Sequence, residues 1–369
     1  MKILHITKKY LDIMGGDSIV VTSLEKYQKK MGHKIYILTS NCEEIIKSPT
    51  ITKFGLKVKA LSLDRINLSR IISLFILFIY SFIYLRKIRP DIVHSHSPEL
   101  GFVLSFACKI YKIPIINTCH GITFPDKRYS LIKRKTELLL LKYAGFNKII
   151  TVDQNSLNNF EISKINNVVY LPNGVDLDKF QNKRNKQNNR TLFLFIGRIE
   201  IEKGLVYLIH AIEKLKDTNK KFEVWLIGVG LNQDYFKKLV IRLNLTAYIK
   251  FLGKKSRDET IDCFYKSDVF ILPSLHEGFP LTLLEAWAVK LPVIITNVGG
   301  ISKICQNKEN ALIVPPKNPE AIVEAFKILI ENKTLREKIG KNGRKEVECK
   351  YSWESIAKQI DNIYQGVIS

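Results

Sequence analysis

No Cys-x2-Cys pair occurs among the six cysteines of this 369-residue chain, Cys42, Cys108, Cys119, Cys263, Cys305 and Cys349. Their irregular spacing argues against a zinc ribbon or a disulfide framework and suits a reducing compartment. No charge-free apolar run reaches the roughly twenty residues of a membrane-spanning helix; the run at residues 71–85, between Arg70 and Arg86, has fifteen. No repeat at a solenoid period is visible. Met1-Lys-Ile-Leu-His-Ile leads into a strand pattern without signal-peptide anatomy, so the expected location is the cytoplasm. Acidic residues are short: 35 against 58 Lys and Arg, a net charge of +23. The imbalance is largest in residues 1–150, with 25 basic against 10 acidic residues, and it implies an anionic surface, polymer or lipid as neighbour. Asp176-Leu-Asp178 has Asp-x-Asp spacing but lies in a Pro/Asn/Gly connection, so no metal site is expected there.

What is present is alternation. Short apolar strands at 3–6, 35–38, 92–94, 115–117, 149–152 and 168–170 are separated by amphipathic helical stretches. The pattern restarts at 191–196, 223–227, 249–252, 269–272, 293–296 and 312–314. This is the signature of parallel, doubly wound α/β sheets, and the length favours two of them. The polar run 181–190 interrupts all periodicity. The expected organisation is a first Rossmann-like domain over 1–172, a linker over 173–190, a second Rossmann-like domain over 191–350 and a helical tail over 351–369.

Ser274-Leu-His-Glu-Gly-Phe-Pro-Leu-Thr-Leu-Leu-Glu285 is the most informative stretch. A buried-strand pattern ends at Pro273, a Gly/Pro turn carries Glu277, and a helix begins near Pro280, with Glu285 about one turn inside. The helix start therefore points its free N–H groups at the carboxyl edge of the sheet, where open α/β folds bind ligands and where phosphate is favoured. Carboxylates beside an anion site suit neutral hydroxyls, which a sugar and a ribose supply. Gly197-Arg198-Ile-Glu-Ile-Glu-Lys203-Gly204 follows another strand, and its two cations can reach the same edge. A surface Arg/Lys pair is the plainer alternative, although a helix start disfavours cations.

These segments, in order, resemble glycosyltransferase family 4. Glu277 and Glu285 match its E-x7-E signature. Lys2–Thr7 with Gly15 and Gly16 resembles its first strand and glycine loop, Asp91–His96 its conserved strand end, and Thr118-Cys-His120-Gly121 its histidine loop. Leu171–Asp176 with Phe180 is similar to its crossover, Phe195–Gly204 to its diphosphate clamp, and Asn297–Gly300 to the loop after the next strand. The resemblance implies the GT-B fold, two doubly wound domains facing across a cleft, with a C-terminal helix returning to the first. It implies retaining, metal-independent transfer of a hexose from a nucleotide-sugar, with no cofactor. Arg198 and Lys203 would hold the diphosphate, Glu285 the ribose, and Glu277 and His120 the transferred sugar. Gly278, Phe279, Pro280, Leu281 and Thr282 would shape the donor site, and Gly15, Gly16, Gly228 and Gly230 would let backbone approach it. Lys303, Lys290, Ala311 and Asp153 depart from common family residues; Lys303 unsettles the pocket beside Gly299 and Gly300.

His94 and His96 share a strand face, which suggests either a metal pair or, in the favoured reading, strand-end packing or acceptor contact. The apolar run 71–85 reads as a domain helix packed on its sheet, or as one that also dips into the lipid surface. The expected acceptor is a glycan, lipid-linked, in bacterial lipopolysaccharide or capsule synthesis, with the enzyme peripheral on the inner membrane face and no nucleic acid as partner. Two other readings stay open: a nucleotide-sugar epimerase or phosphorylase on the same fold, and an inactive basic membrane- or nucleic-acid-binding module.

Overall fold

The computed structural model describes residues 1–10, 16–42, 51–53, 68–181, 190–218 and 221–369. It divides into two compact units, Met1–Asn173 with Trp353–Ser369, and Gly174–Ser352.

The first unit is built on strands β1 (Lys2–Tyr10), β2 (Lys34–Cys42), β3 (Ile51–Lys53), β4 (Ile92–Ser95), β5 (Ile115–Cys119), β6 (Lys148–Thr151) and β7 (Val168–Tyr170). All are parallel, in the order β3-β2-β1-β4-β5-β6-β7. The order reverses between β1 and β4, the position at which open α/β sheets bind ligands beyond the carboxyl ends of their strands. Helices α1 (Gly16–Lys30), α2 (Leu68–Ile88), α3 (Pro98–Tyr111), α4 (Leu131–Tyr143) and α5 (Ser156–Ile162) connect them. β3 carries no periodic signal in its three residues and is an addition to the expected strands.

The second unit holds β8 (Thr191–Ile196), β9 (Phe222–Ile227), β10 (Ile249–Gly253), β11 (Val269–Leu272), β12 (Val293–Thr296) and β13 (Leu312–Val314), in the parallel order β10-β9-β8-β11-β12-β13. Its helices are α6 (Leu205–Leu215), α7 (Gln233–Arg242), α8 (Arg257–Lys266), α9 (Leu281–Ala288), α10 (Ile301–Ile304), α11 (Pro319–Glu331) and α12 (Lys333–Lys350). Gly174 onward belongs to this unit: the Val175 N–H donates to the Tyr351 carbonyl at 2.8 Å, and Phe180 is buried. Most of the polar run expected as linker, residues 182–189, lies outside the described residues. The final helix, α13 (Trp353–Ile368), belongs to the first unit.

Strands buried on both faces need near-continuous apolar sequence, and β11 and β12 are buried at every position. Helix starts are set locally. Ser256 and Glu259 form a reciprocal capping box at α8, and Asn318 and Asn332 accept from the first turns of α11 and α12.

α2 departs from the packed-helix expectation. Leu77, Tyr84 and Leu85 face inward, yet only 22% of residues 71–88 are buried. Ile71, Phe75, Ile79 and Ile83, spaced by four, form an exposed stripe, with side chains 52%, 62%, 49% and 62% accessible.

Trp287 anchors the second core. It is fully buried, its indole N–H donates to the Asn310 carbonyl at 3.0 Å, and α12 packs against it at Gly343. Trp287→Ala therefore costs about 3–5 kcal/mol through the cavity and the orphaned carbonyl. A denaturant midpoint unchanged from the parent would contradict that assignment.

Candidate active site

Glu277 and Lys203 meet in the second unit. The loop leaving β11 and the single helical turn after β8 lie side by side at the carboxyl edge of the sheet, tied by the Leu275 N–H on the Glu202 carbonyl at 2.8 Å. Lys203 Nζ reaches Glu277 Oε1 at 2.7 Å, and the same oxygen accepts from the buried Ser274 hydroxyl at 2.6 Å. Both charged side chains are largely covered, at 15% and 9% exposure. Backbone closeness makes this possible. Gly204 turns at φ +67° where a Cβ would strike the Pro273 carbonyl, and Gly299, at φ +55°, lies against the Glu277 carbonyl. A side chain at either position would push the two loops apart.

Glu285 lies on the fifth residue of α9 and is 3% exposed. Its charge is met by Arg257 Nη1 at 2.6 Å, and the Arg257 guanidinium in turn sits 5.7 Å from the Phe180 ring centroid. A bare carboxylate here would lose several kcal/mol to desolvation, so Arg257 makes Glu285 tolerable. Arg198 has a looser setting: it is exposed and bridges Glu200 at 2.7 Å and Glu202 at 2.5 Å. The two expected clamp cations are thus each held by a carboxylate, on different partners. Gly278, Leu281 and Thr282 are half-buried and Pro280 is buried around the turn, while Phe279 packs on Tyr351 with ring centroids 5.6 Å apart. Gly228 and Gly230 lie against the carbonyls of Gly197 and Ile199, placing the loop after β9 beside the one after β8.

In the first unit, His120 stands just past β5 and is half-buried. It joins a line of imidazoles at the switch point. His120 Nε2 lies 3.2 Å from His96 Nδ1, His96 Nε2 lies 3.0 Å from His5 Nδ1, and His5 Nε2 lies 2.8 Å from Gln28 Oε1. His94 sits beside them, Nδ1 2.6 Å from the Tyr364 hydroxyl and Nε2 2.7 Å from Thr118 Oγ1. Burial pushes His5 down to about 4 and holds His94 and His96 well below the ordinary imidazole range, so these three are neutral. Their ligand nitrogens lie within 4.8 Å of one another, a metal-like grouping. Each of these three histidines, however, has both ring nitrogens engaged in a hydrogen bond, which supports packing over metal for His94 and His96. Gly16 is exposed and opens α1; Gly15 lies outside the described residues.

Arg257, Ser274, His5, Gln28 and Tyr364 are absent from the sequence-based site. His5 carried a readable signal, a polar ring inside the apolar run Lys2–Thr7, in register with His94. Arg257 and Tyr364 reach their partners only through the fold.

Comparison with known proteins covers both units. Residues 14–179 match the family model for glycosyltransferase family 4, and residues 176–346 match that for glycosyl transferases group 1. An uncharacterised glycosyltransferase of Methanocaldococcus jannaschii is 33% identical over 74% of this chain and 75% of its own length. A second one from that organism is 36% identical, but the chain spans only 46% of that relative. The capsular polysaccharide biosynthesis glycosyltransferase CapM of Staphylococcus aureus is 27% identical over 98% of this chain and 96% of its own. The structure of Anabaena HepE, solved with UDP-glucose, superposes with a TM-score of 0.80 at 18% identity, covering 99% of this chain and 100% of HepE. The two parallel sheets, the paired carboxylates on the second, and relatives matched along nearly the whole length lead to one assignment: the chain belongs to glycosyltransferase family 4 and has the GT-B fold.

Proposed function

We propose that this glycosyltransferase moves a hexose from a nucleotide-sugar to a lipid-linked glycan during surface polysaccharide synthesis, with retention of anomeric configuration and without a metal. The observation that carries the reading is the pair of buried acid–base contacts, Lys203–Glu277 and Arg257–Glu285, at one sheet edge. CapM, whose name assigns it to capsular polysaccharide, supports the pathway class, and the UDP-glucose of HepE supports the donor class.

The chemistry follows from charge. A nucleoside diphosphate leaving group gains negative charge as the glycosidic bond breaks. A lysine fixed by Glu277 and covered from water stabilises that charge more than it stabilises the bound donor. Arg198, on the same loop and accessible, supplies a second cation by exchanging its surface carboxylates for phosphate. Glu285, paired with Arg257, accepts from ribose hydroxyls. Glu277 already accepts from Lys203 and Ser274 on one oxygen, so it serves as a fixed anion near the sugar rather than as a free base. Glu277 and Glu285 are both engaged by cations, so neither is left to activate an acceptor from the far face, and this favours retention.

The exposed stripe on α2 gives the acceptor class its support. It continues onto α3 through Phe106 and Ile110, with Phe78 and Phe106 rings 5.8 Å apart. Exposed Arg86, Lys87, Arg89, Lys109 and Lys112 lie at the ends of these two helices. An apolar face edged by cations fits an anionic bilayer surface, with α2 lying in the interface, because its inner face is occupied by Leu77, Tyr84 and Leu85.

Three measurements test this. NMR coupling constants of the new linkage should show the donor's anomeric configuration kept; an inverted product removes Glu277 from its role. Lys203→Ala should lower turnover at least about 100-fold, roughly 2.7 kcal/mol of transition-state stabilisation, while EDTA leaves the parent enzyme active. Near-normal turnover in the variant, or inhibition by EDTA, contradicts the clamp. The protein should sediment with anionic vesicles and release as salt approaches 1 M, where the screening length is about 3 Å. Equal retention on neutral vesicles refutes the electrostatic part, and retention on neither refutes the membrane surface.

A further inference from the structure

We propose that Gln28 is a positioning residue: through His5 and His96 it sets which ring nitrogen of His120 carries the proton. Its consequence for catalysis rests on His120 facing the transferred sugar, as proposed above; the tautomer itself does not.

A neutral imidazole has one N–H and one lone pair, so a ring bonded at both nitrogens must take a hydrogen bond on one side and give one on the other. Direction is therefore passed along the line. The Gln28 amide N–H donates to the Tyr364 hydroxyl at 3.1 Å, which turns its carbonyl to His5. His5 must then donate from Nε2 and accept at Nδ1. His96 donates from Nε2 to His5 and accepts at Nδ1. His120 donates from Nε2 to His96, which leaves the lone pair on its Nδ1. The second branch agrees. Tyr364, having accepted from Gln28, donates its O–H to His94 Nδ1, and His94 donates from Nε2 to Thr118. The Tyr364–His94 distance of 2.6 Å is that of a hydroxyl donor and short for an imidazole N–H.

One other arrangement keeps each of these hydrogen bonds and also gives the Tyr364 hydroxyl an acceptor. It needs the Gln28 amide turned over and all four histidines changed to the opposite tautomer together, which would put a proton on His120 Nδ1. The two arrangements differ in the character of His120 Nδ1: an acceptor in the proposed polarity, a donor in the reverse. Gln28 and Tyr364 are both fully buried, so water does not compete to scramble the direction. The neutrality of His5, His94 and His96, imposed by burial, supports the same account.

The test is a long-range proton–nitrogen NMR spectrum of the full chain with 15N-labelled histidine. Expected in the parent protein are Nε2–H tautomers for His5, His94, His96 and His120. Gln28→Leu should leave His120 as a mixture of tautomers. Gln28→Glu, which accepts on both sides, should switch His94 to Nδ1–H while His5, His96 and His120 keep theirs. An Nδ1–H tautomer of His120 in the parent overturns the proposal without needing any variant. So does a His120 signal unmoved by Gln28→Leu, or a spectrum that EDTA changes, which would reveal a metal on His5, His94 and His96. Transfer assays on the same samples separate the two levels. Gln28→Leu should lose about tenfold in kcat, about 1.4 kcal/mol, with little change in donor KM. Tautomer mixing with unchanged kcat retains the wire and removes His120 from the reaction.

Discussion

Glu285 is 3% exposed on a short helix at the carboxyl edge of six strands that all run one way, and Arg257 meets it there at 2.6 Å. Much of the second unit's site follows from that pairing. This contact ties α9 to the start of α8, and α9 in turn follows the Gly-Phe-Pro turn beside Glu277. Removing Arg257 would strand the buried Glu285 carboxylate, a loss of several kcal/mol, whereas the exposed pairs of Arg198 contribute little to stability. The site thus has one rigid ion pair, one covered pair and one accessible arginine, graded by burial.

The first unit solves the same problem without charge. Burial keeps His5, His94 and His96 at the switch point of its sheet neutral, and each is satisfied by a neighbour on another element. Under the proposed function the opposition is useful chemically: a fixed anion and cations suit a departing diphosphate, and neutral donors and acceptors suit the recognition of hydroxyls.

Strand positions were legible because parallel strands covered on both faces need apolar runs, and twelve of those runs appear as strands at the expected places. β3 was not, because a three-residue strand carries no period. The Glu277 and Lys203 segments were legible because Gly, Pro and charged residues interrupt apolar pattern at strand ends. Arg257 was not: it opens α8 behind a capping box and looks like any helix-start residue. The packing of α2 stayed open between two readings for a different reason. Fifteen apolar residues look alike whether they face a core or a solvent boundary, and only the neighbouring helix decides. Gln28 and Tyr364 were invisible because a network's members share no spacing along the chain.

Tyr364 and Gln28 touch across 336 positions of sequence. The first unit is therefore assembled from segments on either side of the second, with the whole of Gly174–Ser352 interposed. Closing so long a loop is entropically costly, but the cost grows only with the logarithm of length and falls once the intervening segment is itself compact. During synthesis the contiguous unit can finish folding while its predecessor still lacks α13. If the imidazole line has the proposed direction, it is completed only once Tyr364 is in place, so a chain in which α13 has not yet docked has the residues of the histidine loop without the order assigned to them.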